Sequence, residues 1–166
     1  MAAEVLEGRR GIRPIKAQPA VCYNHRLAFS ALGFPPFEPA FASLEPAEGD
    51  ACHGVLYTVT QSEWQRICLT EGVLPIGPPL GYQTTRVLCA PYEGTATFSA
   101  TPLKFVEGGD ISALTLRFRQ PQSFLGLPPV ELPPSRRYLN LLRAGATEKA
   151  LAVQWQAHLA ALPSVF

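Results

Sequence analysis

The chain has 166 residues, a length that suits a single domain with a sizeable hydrophobic core. Its hydrophobic fraction of 47% is too high for a disordered chain, and 14 basic against 13 acidic residues leave no basic field for nucleic acid or anionic lipid. Its apolar runs are far shorter than the roughly 20 residues of a membrane span, and Met1 leads into acidic residues rather than a signal sequence, so we expect a cytoplasmic protein.

Prolines and glycines, 17 and 13 in number, separate short apolar segments. This punctuation is typical of many strands and loops with few helices. We predict a short helix over residues 2–9, a strand over 21–29, a proline-rich loop over 33–39 and a second strand over 40–44. The clearest strand is 53–59 (HGVLYTV), which is rich in β-branched and aromatic residues.

Two acidic residues, Glu45 and Glu48, stand between the second and third of these strands. Paired carboxylates can perform general acid–base chemistry. This pair, however, lies in a polar stretch that reads as a loop, where carboxylates are normally solvated. We therefore expect both side chains in water.

The segment after the clearest strand carries a helix signal. Thr60 and Glu63 fit a capping box, in which each side chain bonds a free amide at the helix start, and the helix is predicted to run to about Thr70. One face of this helix carries a stripe at i, i+3, i+4 and i+7, formed by Trp64, Ile67, Cys68 and Glu71.

Glu71 ends this inward-facing stripe and is followed at once by Gly72. In one interpretation the carboxylate leaves the helix end and extends into water. In the other it enters a pocket between helix and sheet, where burial suits a carboxylate to general acid–base catalysis near neutral pH. The spacing alone leaves both interpretations open.

The second half of the chain returns to strands. After a glycine- and proline-rich loop over residues 72–81, we predict a strand over 82–90 that pairs as a hairpin with 95–100. Residues 111–119 also alternate apolar and polar side chains, and residues 120–134 form a proline-rich connection.

Two helices are predicted at the C-terminus. Ser135 can cap a helix that ends near Gly145, and a last helix places four large apolar residues on one side: Leu151, Trp155, Leu159 and Leu162. The expected fold is an α+β domain spanning residues 1–166. It is a small, mixed, mostly antiparallel β-barrel or curved sheet with a helix after the central strand and two C-terminal helices.

Cysteines and histidines are dispersed along the chain. No C-x-x-C pair or dense disulfide spacing occurs, so we expect reduced, partly buried thiols at Cys22, Cys52, Cys68 and Cys89. The histidines show no local metal-ligand spacing either, and we therefore predict no metal site from His25, His53 and His158.

Several segments resemble the γ-glutamyl cyclotransferase-like superfamily in their order and spacing. The strand HGVLYTV leads to a helix ending in Thr70-Glu71-Gly72, then to Tyr82, and later to the segment 134–138 (PSRRY). In that family a similar strand precedes a helix whose terminal Glu-Gly carries the catalytic glutamate, and a P-S-x-x-Y segment contributes a tyrosine to the substrate pocket. Two upstream stretches also look like the family's, RGIRP at 10–14 and YNHRLAF at 23–29.

The resemblance implies an enzyme that acts on a small γ-glutamyl amide. The substrate's own α-amino group attacks the γ-carbonyl, which yields 5-oxoproline and a free amine. Glu71 would be the general acid–base, Tyr138 a substrate contact and Tyr82 a further one, although each tyrosine has a purely packing role as its alternative. No metal, organic cofactor, nucleic acid or membrane partner is implied.

Two departures from the family pattern stand out. The family begins with a strand and a Y-G-S-N loop whose amides can stabilise an oxyanion, and the chain has no such segment. We therefore expect either an incomplete version of a longer protein or an inactive relative that binds a small amine or a protein partner. Residues 106–120 are also longer than expected and read as an insertion.

Overall fold

The computed structural model describes residues 11–34, 37–73, 81–94, 105–120, 126 and 129–166. The predicted helix over 2–9 and the predicted strand over 95–100 lie outside these residues. Where the chain is described, no helix has the length and hydropathy to cross a membrane. The elements in chain order are β1 Lys16–Phe34, β2 Glu38–Thr58, α1 Gln61–Thr70, β3 Gly81–Pro91, β4 Ile111–Arg119, α2 Arg136–Glu148 and α3 Val153–Ala161.

The four strands form one sheet in the order β2-β1-β3-β4, and all neighbouring strands are antiparallel. β1 pairs with β2 along most of its length but with β3 only over Ala20–Cys22, opposite residues 89–91. The α+β class, the antiparallel sheet and the two C-terminal helices are confirmed. The predicted helix follows β2, which is an edge strand of the described sheet rather than its central strand.

The strands predicted separately on either side of Glu45 form one long strand, β2. Between Tyr23 and His25 the β1–β2 register shifts, so extra β2 residues are accommodated in a bulge rather than a loop. Asn24 adopts φ +57 at this point, and its side-chain oxygen accepts a hydrogen bond from the Gly49 N–H at 3.1 Å. The expectation of a separate loop was wrong because the bulge keeps both halves paired with β1.

Glu45 is a further correction, since it is only 4% exposed rather than solvated. One carboxylate oxygen accepts hydrogen bonds from the hydroxyls of Ser30 and Ser43, at 3.1 and 3.0 Å. The other faces the Arg117 guanidinium at 2.8 Å. Its sequence neighbour Glu48 is exposed, as expected.

Side-chain bonds hold the two edges of the sheet together. Arg117 belongs to the edge strand β4 and Glu45 to the opposite edge strand β2. Beside this ion pair, the Phe118 N–H donates a hydrogen bond to the Ser43 hydroxyl at 3.0 Å. Since the edges of a flat four-stranded sheet would lie far apart, these contacts require a strongly curved sheet.

The stretch that read as an insertion contributes the strand β4. It pairs with β3 in continuous register, from Gly81 opposite Arg119 to Cys89 opposite Ile111. Residues 111–119, whose alternation of apolar and polar side chains was noted in the sequence, therefore form a strand that covers the edge of β3.

The C-terminal helices pack on the sheet. Leu151, Trp155 and Leu159 are buried as predicted, in a core that also includes Val21 and Tyr92. A second cluster joins Phe29 and Ala40 of the sheet to Leu139 of α2, with Tyr138 at its margin.

α2 ends later than the sequence predicts. It continues through Gly145 to Glu148, so the expected end near Gly145 was wrong by three residues. The left-handed residue that terminates it is Ala150, at φ +49. The Leu151 N–H then donates to the Ala146 carbonyl at 2.9 Å, as in a Schellman motif.

Candidate functional site

The helix α1 forms as its sequence predicts. The Thr60 hydroxyl accepts a hydrogen bond from the Glu63 N–H at 3.3 Å, and the Glu63 carboxylate accepts one from the Thr60 N–H at 2.8 Å. This reciprocal pair is the predicted capping box, and the predicted end at Thr70 is also confirmed.

The C-terminus of α1 fixes the position of Glu71. Gly72 takes the left-handed conformation at φ +72, its N–H donates to the Leu69 carbonyl at 3.1 Å, and the Val73 N–H donates to the Cys68 carbonyl at 2.9 Å. These two bonds form a Schellman motif, in which Glu71 is the C-cap residue that directly follows the helix. The carboxylate therefore leaves the helix from a defined backbone position and is partly buried.

Substituting Gly72 by alanine is expected to lower the free energy of unfolding by about 1 kcal/mol, because an L-residue is strained in the left-handed region. A Cβ at this position would meet no atom within 4 Å, so the loss is conformational only. The reciprocal change, Ala150→Gly at φ +49, is expected to raise stability by about 0.5 kcal/mol. Urea unfolding of both variants checks these signs, and an unchanged midpoint for Gly72→Ala would contradict the motif.

Two tyrosines from distant parts of the chain meet at one residue of β2. The Tyr138 hydroxyl accepts a hydrogen bond from the Ala42 N–H at 3.2 Å, whereas the Tyr82 hydroxyl donates one to the Ala42 carbonyl at 3.0 Å. Because both bonds involve the same residue, α2 and β3 bring the two phenols side by side at the edge of β2.

The charge of Glu71 acts on both phenols. Burial is the main cause that raises the pKa of Tyr82 and of Tyr138, and the carboxylate of Glu71 raises each further. At Tyr138 the hydrogen bond from Ala42 opposes the increase, while Glu38 adds to it. Both hydroxyls are therefore protonated at neutral pH. The structure brings Tyr82 and Tyr138 together at Ala42, and Glu71 acts on both through its charge.

The sequence did not reveal the residues that support Tyr138. Glu38, which lay in a predicted loop, is buried, and its carboxylate accepts hydrogen bonds from the Ser135 hydroxyl and from the Ser135 N–H, the latter at 2.8 Å. Phe41 packs edge-on against the Tyr138 ring with a centroid separation of 5.3 Å. The partner of Glu38 lies 97 residues away, so no local sequence signal could have identified this contact.

A cleft of about 660 Å³ lies elsewhere, between β1 and α3. His53 and Trp155 line it, and their rings stack with centroids 5.5 Å apart. None of the three predicted site residues lines this cleft. We place the candidate site at the tyrosines because two partly buried hydroxyls meet there and the charge of Glu71 acts on both.

Three of the four cysteines lie side by side across the sheet. Cys22 of β1 stands opposite Cys52 of β2 and opposite Cys89 of β3. All four thiols are free in the structure, and Cys68 is partly buried like Cys52 and Cys89. Within the described part of the chain, no three His, Cys, Asp or Glu side chains are placed to hold a metal ion.

Slow thiol chemistry is expected at two of these positions. Burial raises the pKa of Cys22 to about 11 and that of Cys52 to about 12. Since the thiolate is the nucleophile, its fraction for Cys22 at pH 8 is about 0.001, and it grows tenfold with each pH unit up to the pKa. Labelling with an aromatic disulfide at pH 8, followed by peptide mapping, should show both thiols reacting at least about 100-fold faster in urea than in the native protein, with the larger factor at Cys52. Equal labelling rates in urea and in the native protein would contradict the burial of Cys22 and Cys52.

No family model matches the sequence. The sequence is 29% identical over 169 residues to the gamma-glutamyl cyclotransferase gliK of Claviceps purpurea (strain 20.1). That match covers 98% of this chain and 66% of the fungal protein, so the chain spans just under two thirds of its relative's length.

Solved structures show the same fold. A gamma-glutamyl cyclotransferase and the uncharacterized human protein loc79017 each give a TM-score of 0.71 at 19% identity, with 99% of this chain and 83% of theirs covered. YkqA from Bacillus subtilis gives a TM-score of 0.62 at 20% identity, over 89% of this chain and 45% of its own. The chain is thus similar in sequence to a fungal gamma-glutamyl cyclotransferase and shares the fold of a solved gamma-glutamyl cyclotransferase.

Proposed function

We propose that the chain is a γ-glutamyl cyclotransferase, which converts a γ-glutamyl amide into 5-oxoproline and a free amine. The observation that carries the proposal is the meeting of Tyr82 and Tyr138 at Ala42, where the charge of Glu71 acts on both phenols. The fold and the 29% identity to a protein of that name support it.

The reaction needs a base more than it needs a protein nucleophile. The α-amino group of the substrate forms a bond to the γ-carbonyl carbon, the bond from that carbon to the amine nitrogen breaks, and a five-membered ring results. Since the nucleophile belongs to the substrate, holding the substrate folded supplies much of the rate. Glu71 would take the proton from the α-ammonium group and return it to the leaving nitrogen.

The hydrogen bonds at Ala42 give the two tyrosines different roles. Tyr138 accepts a hydrogen bond from the Ala42 N–H, so its own proton is available for the γ-carbonyl oxygen as negative charge develops there. Tyr82 donates its proton to the Ala42 carbonyl, so it acts by fixing this part of the site. We therefore assign Tyr138 to substrate binding and Tyr82 to positioning.

The test is the release of 5-oxoproline from a panel of γ-glutamyl dipeptides and γ-glutamyl amines, with the freed amine quantified in the same sample. The proposal predicts equal amounts of the two products. A version preceded by a strand and a Tyr-Gly-Ser-Asn loop is run beside the chain. If neither protein is active and each is shown to be folded, the cyclotransferase proposal fails and the binding-domain alternative takes its place.

A further inference from the structure

A short ladder joins the two halves of the sheet. β1 pairs with β2, and β3 pairs with β4, over most of their lengths, but β1 and β3 pair only where Ala20–Cys22 faces residues 89–91. Cys22 and Cys89 form the last pair of this ladder. A covalent bond between the two cysteines would therefore join the halves at the point where their backbone pairing ends.

The hydrogen-bond pattern of the ladder suits a disulfide at this pair. The Tyr92 N–H donates to the Pro19 carbonyl at 3.0 Å, so these two residues occupy a hydrogen-bonded position, which alternates with non-hydrogen-bonded ones in an antiparallel ladder. Three residues further along, Cys22 and Cys89 fall at a non-hydrogen-bonded position, where Cα atoms lie about 4.5 Å apart and side chains approach most closely. A disulfide spans about 4.4–6.8 Å between Cα atoms, so this pair can be bridged without moving the backbone.

Cys52 is the competing partner for Cys22. It stands opposite Cys22 on β2, on the same face of the sheet. Because Cys22 makes no backbone bonds to β3 at this position, its backbone bonds are directed to β2, and Cys22 and Cys52 form a hydrogen-bonded pair with about 5.5 Å between Cα atoms. The side chains of Cys22 and Cys89, by contrast, also hydrogen-bond to each other. Both observations favour Cys89 as the partner.

A peroxide converts such a pair into a disulfide in two steps. Cys89 is partly buried whereas Cys22 is only 7% exposed, so a small peroxide reaches Cys89 first. The Cys89 sulfur takes one oxygen atom from hydrogen peroxide, which gives a sulfenic acid and one water molecule. The Cys22 sulfur then attacks the Cys89 sulfur, the S–O bond breaks, and the departing hydroxide leaves as water with the Cys22 proton. Two thiols are thereby oxidised and one peroxide is reduced.

One imidazole stands beside the attacking sulfur. The His25 Nδ1 atom lies 3.4 Å from the Cys22 sulfur and 2.9 Å from the Tyr23 carbonyl oxygen. Since a carbonyl oxygen only accepts, Nδ1 carries a proton in this arrangement, and the same N–H stabilises negative charge on the Cys22 sulfur. Burial opposes that charge, because it raises the pKa of Cys22. We therefore expect the disulfide to form over hours rather than seconds.

We propose that Cys22 and Cys89 are a peroxide-sensitive dithiol, whose disulfide links the β1–β2 half of the sheet to the β3–β4 half. The inference goes beyond the proposed function and does not depend on it. Because the link closes a long loop and so constrains the unfolded chain, the oxidised protein should unfold at a urea midpoint higher by on the order of 1 M.

The test treats the whole chain with hydrogen peroxide at pH 8, blocks the remaining thiols with N-ethylmaleimide and maps the peptides without reduction. Trypsin places each cysteine on its own peptide, because it cuts the chain between them after Lys16, Arg26, Arg66 and Arg86. We expect the native protein to give mainly the linked peptides of Cys22 and Cys89, together with the higher urea midpoint, and dithiothreitol to reverse both. In urea, where the strand register is lost, this link should be only one among the six possible pairs of four cysteines.

Two variants accompany the wild-type map. Cys89→Ala should lose the midpoint shift, whereas the matched control Cys68→Ala should keep it, because Cys68 is a partly buried cysteine of α1 outside the three side-by-side cysteines. A dominant link between Cys22 and Cys52, a link between two chains, or irreversible oxidation of Cys89 without any link would each overturn the proposal. So would a native protein whose thiols all stay reduced. The wild-type map decides between these outcomes even if Cys89→Ala does not fold.

Discussion

Replacing Glu71 by glutamine is expected to lower the rate of 5-oxoproline release by about 10²- to 10⁴-fold, the range that general acid–base groups contribute. The amide has the shape of the carboxylate but cannot take a proton from the substrate's α-ammonium group. The substitution leaves the hydrogen bonds at the end of α1 in place, because their donors are the backbone N–H groups of Gly72 and Val73. The thermal midpoint should therefore change by only about 1–2 °C.

Glu48→Gln is the control for this substitution, since Glu48 is an exposed glutamate of β2 and should keep wild-type activity. If the Glu71→Gln variant turned over substrate at the wild-type rate, Glu71 would not be the general acid–base of the reaction. A large drop in the thermal midpoint of Glu71→Gln would instead assign the carboxylate a structural function. The loss should lie in kcat more than in KM, because proton transfer belongs to the chemical step.

Replacing Glu45 by alanine is expected to cost about 3 kcal/mol of unfolding free energy, the lower end of the range for breaking a buried ion pair. The lower end applies because the Arg117 side chain is 34% exposed and can regain water when its partner is lost. The hydroxyls of Ser30 and Ser43 lose their acceptor as well. Since this cluster joins the two sheet edges, the loss should also weaken the contact between β2 and β4.

Glu48→Ala is the matched control, because it removes a glutamate from the same strand that is exposed to solvent. Its unfolding free energy should stay within about 0.5 kcal/mol of the wild-type value. Urea unfolding measures both variants. Equally small losses of unfolding free energy in the two variants would mean that Glu45 does not hold the sheet edges together. A double-mutant cycle of Glu45→Ala with Arg117→Ala measures the coupling energy between the two side chains directly.

Local signals in the sequence predicted the parts of the site that depend on local bonds. Two such signals belong to α1, and both features form as expected: the capping box of Thr60 and Glu63 at its start, and the glycine that follows Glu71 at its end. The Ser135 cap of α2 also forms, with the Tyr138 N–H donating to the Ser135 hydroxyl at 3.1 Å. Such bonds join residues three to five positions apart, and their spacing can therefore be read from the sequence.

Contacts between distant segments could not be predicted from local spacing in the sequence. Glu45 reads as a solvated loop residue until β4 brings Arg117 to it from 72 positions away. The meeting of Tyr82 and Tyr138 at Ala42 depends on the curvature of the sheet and on the packing of α2, which no spacing encodes. The resemblance to a family named these tyrosines, but their different hydrogen-bonding roles became visible only in the structure.

The most direct test of the proposed chemistry is a reaction of the chain with a γ-glutamyl amide in ¹⁸O-labelled water, with products analysed by mass spectrometry. Intramolecular attack by the α-amino group predicts 5-oxoproline that contains no ¹⁸O, formed in equal amount with the free amine. Glutamate carrying one ¹⁸O in its γ-carboxylate would contradict the account, because it would show that water, rather than the substrate's own amine, attacks the γ-carbonyl.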